Sequence, residues 1–80
     1  MLTRVYTRAK IGEIHMKSYS SREVIRILEA DGWRLIQISG SHHQFKHPVK
    51  AGRVTIKHPD KNIPIKTLKR ISEQSGIDFS

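Results

Sequence analysis

The sequence predicts a small α+β domain in which two amphipathic helices pack on one face of a three-stranded antiparallel sheet, in the order helix-strand-strand-strand-helix. Three observations carry this reading. A capping signature at Ser20 is followed by an apolar stripe; three short β-rich segments lie between Gly- and Pro-containing turns over 33–57; and a second apolar stripe opens just after Pro64. Eighty residues suffice for one domain, because a chain of this size buries only about 60% of the surface that its unfolded form exposes.

Ser20 and Glu23 stand in the S-x-x-E relation of a capping box, in which each side chain satisfies a backbone N–H at a helix start. Val24, Ile25, Ile27 and Leu28 then form an apolar stripe, Arg22, Arg26 and Glu29 a polar one, and Gly32 suits the left-handed residue that ends a helix. The first helix therefore runs roughly from Ser21 to Asp31. Trp33 to Ser39 is aromatic and β-branched and meets Gly40-Ser41, which reads as a strand closed by a turn. His43 to His47 is a second strand stopped by Pro48, and Arg53 to Lys57 alternates polar with apolar residues as a half-buried third strand does. Pro64 can open the last helix without losing a needed hydrogen bond. Ile65, Leu68 and Ile71, with Ser75 beyond them, share one face of it, Gly76 stops it, and Ile77 is placed to pack back. The sheet gives both helices one shared apolar surface and leaves its other face to solvent, an arrangement that resembles a double-stranded-RNA-binding domain.

Residues 1–15 show no clear period. They read either as an extension, from an upstream translation start or of artificial origin, ahead of a domain spanning 16–80, or as an added edge strand around Arg4-Val5-Tyr6-Thr7.

Fifteen Lys and Arg against seven Asp and Glu give a formal charge of +8, which predicts attraction to a polyanion, nucleic acid first. A solvated basic surface or an acidic protein partner fits the charge as well. There are no cysteines, so no disulfide framework or thiolate metal site holds the fold, and a reducing cytoplasm is compatible. No apolar run approaches the ~20 residues that span a bilayer, and no signal-peptide pattern opens the chain, so no membrane role is expected.

Strand alternation turns the fold into a statement about a site. With Phe45 under the helices, His43 shares its face, and His42, Gln44 and Lys46 point to the open side. Inward Val54 and Ile56 send Arg53, Thr55 and Lys57 to that same side, unless a bulge near Gly40 breaks the alternation. An imidazole beside Lys46, Arg53 and Lys57 suits proton transfer on a phosphodiester: cations hold phosphate oxygens, and imidazole accepts or donates a proton near neutral pH. Lys66, Lys69 and Arg70 on the last helix are further candidates for phosphate contact.

His42, His43, His47 and His58 together invite a metal-site reading. No pair has the i, i+4 spacing of helical zinc sites, and no Cys or well-placed carboxylate completes a ligand set, so neither a metal nor another cofactor is expected. His47 and His58, each before a proline, read as loop residues that bond backbone or contact phosphate, and His43 as packing or a structural hydrogen bond. No Ser and acid are placed for a Ser-His-acid triad, and Gly-rich phosphate loops are absent.

Gly32-Trp33, the run Gly40-Ser41-His42-His43-Gln44-Phe45-Lys46-His47-Pro48, Val54-Thr55-Ile56 with His58, and Thr67-Leu68-Lys69-Arg70-Ile71 before Gly76-Ile77 resemble the HicA toxins of bacterial and archaeal type II toxin–antitoxin pairs. The likeness covers Met16 to Ile77. It implies an mRNA interferase, that is, an endoribonuclease that blocks translation, neutralised by a HicB antitoxin that covers the active face. The family's motif histidine falls on His42, with Gly40, Ser41, His43 and Phe45 as its surroundings. Lys57 stands where many members have Pro, and Lys66 where many have Gly; both concern strand and helix ends and leave the motif histidine untouched. A non-catalytic RNA-binding module explains charge and fold too, but leaves Gly40-Ser41-His42 without a role.

Overall fold

The computed structural model describes residues 18–79, so both readings of residues 1–15 lie outside the described residues. The elements are α1 (Ser21–Ala30), β1 (Arg34–Ser39), β2 (His42–Lys46), β3 (Arg53–Lys57) and α2 (Ile65–Ser75). The predicted fold class and element order hold.

Both halves of the capping box are formed at α1. Glu23 N–H donates to Ser20 Oγ at 3.1 Å, and Ser20 N–H donates to Glu23 Oε1 at 2.9 Å, a cap of the kind that contributes about 0.5–2 kcal/mol. Val24 and Leu28 reach the core together with the small Ser21, while Ile25 and Ile27 flank them half-buried. The helix ends at Asp31. Gly32 follows with φ 105°, and a Cβ there would lie 2.8 Å from His47 Nε2, so backbone conformation and close approach both require glycine.

The sheet order is β1-β2-β3 with antiparallel pairing throughout. Trp33, expected to open β1, lies just before it, buried, with its indole N–H donated to Asp31 Oδ2 at 3.2 Å. β2 begins one residue earlier than its apolar pattern suggested, at His42, and ends at Lys46. The sheet does contain a bulge, between Leu35 and Gln37. It falls on an edge strand, where an extra residue disturbs only one ladder, and Gly40 instead turns the chain with φ 59°. Alternation through β2 and β3 is therefore intact.

Phe45, Val54 and Ile56 form the inner face of the sheet and meet Val24, Leu28, Leu68 and Ile71 from the helices, with Trp33, Ile63 and Phe79 closing the rim. Each such side chain contributes about 1.5–3 kcal/mol on full burial. Ile65, which helical spacing placed on the apolar face, is 55% exposed; it sits in the first turn of α2, and Ile63 ahead of the helix fills that part of the core. Phe79, three residues past the helix cap, packs edge-on against Tyr19 at 5.3 Å. Both helices lie closest to β3, so Leu35 and Ile38, on the inner side of β1, stay 44% and 55% exposed.

Candidate active site

Strand register lays out the open face as three rows, since directly opposed residues share a face. Arg34, Lys46 and Arg53 form the first; Gln37, Gln44 and Thr55 the second; Ser39, His42 and Lys57 the third. Every one is polar, because this side of the sheet meets water while its back faces the core. Arg53 donates from its guanidinium to Gln44 Oε1 at 3.0 Å, which ties adjacent rows together. Lys46, Arg53 and Lys57 are on the face expected of them, and His42 pairs directly with Lys57. Arg34 joins the cationic row; the bulge in β1 hid its register from sequence alternation.

Row three is not open on all sides. α2 passes along β3 and presents Thr67, Arg70 and Gln74, which follow one another at helical spacing on one stripe. Together with Ile71 they face His42, Thr55 and Lys57 across a groove of about 250 Å³. The imidazole therefore lies in a cleft with a cation on the adjacent strand and another on the helix. Lys66 and Lys69 are exposed on α2 and do not line the groove. Thr67 and Gln74 carried no assigned role in the sequence. Their common stripe was legible there, but its facing His42 follows from where α2 crosses β3.

His42 is exposed, and among the described residues its ring makes no hydrogen bond to the protein, so both nitrogens are available to a bound molecule. The turn that delivers it is Gly40-Ser41, and Ser41 O accepts the His58 N–H at 2.8 Å, which pins the turn to the end of β3. His43 points the other way, half-buried, its ring meeting the edge of His58 with centroids 5.0 Å apart. Phe45, on the same side, is core.

His47 organises backbone. His47 Nδ1 accepts the N–H groups of Val49 and Lys50 at 3.0 Å each. With Nδ1 occupied as an acceptor, Nε2 carries the hydrogen and donates to Asp31 O at 2.7 Å. His47 thus shapes the β2–β3 loop and fastens it to the end of α1, the backbone-bonding role expected of it. His58 bonds a side chain, with Nδ1 2.7 Å from Ser21 Oγ. Beside His47, Lys50 Nζ donates to Asp31 Oδ2 at 2.7 Å and to Ser75 O at 3.0 Å. That ammonium, mainly through its hydrogen bond, holds the Asp31 carboxyl below the usual carboxylate range.

The arrangement can bind a phosphodiester between Lys57 and Arg70 and move a proton at His42. A family model described as the HicA toxin of bacterial toxin–antitoxin pairs matches residues 21–77. A comparison with individually curated proteins finds no match.

Proposed function

This chain belongs to the HicA toxin family, and on that premise we propose that it is an endoribonuclease that cleaves mRNA with His42 as its acid–base group. It is the toxin of a toxin–antitoxin pair, and membership implies an antitoxin partner. The observation that carries the catalytic reading is the groove itself, which gathers His42, Lys57 and Arg70 around one space.

In the proposed reaction the 2′-hydroxyl of the RNA attacks the adjacent phosphorus. The new O2′–P bond forms as the P–O5′ bond breaks, the 2′ proton passes to a base, and the departing 5′ oxygen takes one up from an acid. His42 serves as one of these partners, and a single imidazole does not fill both roles at once. Lys57 and Arg70 stabilise the charge that builds on the non-bridging oxygens, while Lys46 and Arg53 hold the strand along the open face and Lys66 and Lys69 attract it from the flank. The scheme needs no metal to generate its nucleophile, which the substrate supplies, and it assigns charge stabilisation to Lys57 and Arg70. Proton transfer of this kind contributes about 10²- to 10⁴-fold, so the enzyme is slow and depends on positioning for the rest. A HicB-type antitoxin inhibits it by covering the His42 face. The site of action is the cytoplasm, where mRNA is translated; among the described residues no helix is long and apolar enough to cross a membrane.

The test is incubation of single-stranded RNA with purified protein in EDTA. Wild type cleaves; His42→Ala keeps its fold and much of its RNA binding but loses cleavage. Full activity in that variant removes His42 from the mechanism, and protection without cleavage by wild type makes the protein a non-catalytic RNA binder.

A further inference from the structure

The sheet end that carries His42 has a second side. Lys57 points to the open face, and the next residue, His58, turns toward α1, where it forms the wall between two adjoining hollows of about 250 and 200 Å³. Arg22 lines both, and Arg26, one turn further along α1, lines the larger. Among the described residues neither arginine is in an ion pair. Glu29 borders the larger hollow, and Asp60 and Lys61 border the smaller, so the three cations exceed the two carboxylates by one charge.

His58 is held in a fixed orientation. Ser21 is 1% exposed, and its Oγ accepts the Asp60 N–H at 2.8 Å. Its own proton then needs an acceptor, because a buried hydroxyl left unpaired is costly. His58 Nδ1, at 2.7 Å, supplies it. The ring hydrogen consequently sits on Nε2, which has no hydrogen-bond partner among the described residues. An N–H donor without a protein acceptor beside two unpaired guanidiniums on an i, i+4 face is the donor set of an anion site. A tie between α1 and the β3–α2 loop would account for Ser21 and His58 alone, but it gives the arginines nothing to do.

We infer that Arg22, Arg26 and His58 form a second phosphate subsite, which takes a further backbone phosphate of the same RNA strand, beyond the one cleaved at His42. The link is short: His58 N–H bonds Ser41 O in the turn that delivers His42, and Lys57 pairs with His42. RNA leaving the groove over that turn therefore meets cations again on the helix side. The subsite rests on the ribonuclease reading, and its ligand is a phosphodiester of single-stranded RNA.

The experiment compares wild type with Arg22→Gln/Arg26→Gln, both exposed positions whose change spares the fold, on a dinucleotide and on a longer single strand. For the longer strand KM rises by about tenfold or more with kcat nearly unchanged, and the slope of log KM against log salt flattens by about 0.7 for the one phosphate released. For the dinucleotide, which cannot reach the subsite, KM stays at the wild-type value. Unchanged kinetics on the longer strand overturn the subsite, and so does an equal rise on both substrates, which is the mark of general charge loss. If wild type cleaves neither RNA, the nuclease reading has failed. The subsite is then judged by direct binding of a 2′-deoxy single strand, where equal affinity of the two proteins overturns it and weaker binding by the double variant supports it.

Discussion

Gly32 shows how a single position couples two distant parts of the chain. Its φ of 105° disfavours any side chain, and the place a Cβ would take is filled by the His47 ring at 2.8 Å, the ring that accepts two loop N–H groups. Gly40 has a left-handed backbone as well, with nothing within 4 Å of its Cβ position. Gly32→Ala is therefore expected to cost more than Gly40→Ala. The latter incurs only the left-handed penalty of about 1–2 kcal/mol, whereas the former also displaces His47 and so destabilises by more than that. Thermal unfolding followed by circular dichroism reads the difference, and equal melting temperatures for the two variants contradict the packing argument. At this scale the side His42 faces was legible in the sequence, since strand alternation is rigid once Phe45, Val54 and Ile56 are taken as inward. The Ser21–His58 bond was not, because it joins residues 37 apart through a loop with no period to read.

Among the elements, α2 carries the most information about chemistry. Its inner stripe of Leu68, Ile71 and Ser75 is core, and the stripe beside it, Thr67, Arg70 and Gln74, walls the groove. Cations on the same helix therefore differ in what they can do. Arg70→Ala is expected to lower kcat roughly tenfold to hundredfold, in line with about 1.5–3 kcal/mol for a hydrogen bond to a charged group, because it removes a donor facing the reacting phosphate. Lys69→Ala, outside the groove, raises KM modestly and leaves kcat near wild type. Steady-state cleavage of one RNA by both variants decides the point; equal effects on kcat mean that α2 acts only as a source of general positive charge. Helical spacing announced the apolar stripe, whereas Thr67 and Gln74 were not singled out beside Arg70. Which stripe meets His42 depends on how α2 lies along β3, and that is a property of the assembled sheet.

Over the whole molecule, two helices and one loop are tied at a single place away from the groove. Lys50 spans from the Asp31 carboxylate at the end of α1 to the Ser75 carbonyl at the end of α2, a position where an ammonium complements the partial negative charge of a helix C-terminus. The segment between β2 and β3 shows only turn residues such as Pro48 and Gly52 in the sequence, and nothing local says that its lysine reaches two helix ends. The tie has a predictable pH signature. Asp31 in the folded protein has a carboxyl pKa below its ordinary value, first because of the hydrogen bond from Lys50. A group depressed in this way adds stability that is present above the unfolded carboxylate pKa and is lost as pH falls through the lower, folded value. Asp31→Asn should therefore melt below wild type at neutral pH, by a modest margin because the pair is exposed to water and screened. The gap should close on acidification, through the range beneath the usual carboxylate pKa, as the wild-type carboxyl takes up its proton. Thermal melts of both proteins across that acid range make the measurement. A gap that stays constant down to full protonation shows that Asn disturbs the Trp33 and Lys50 contacts sterically, with no contribution from the charge.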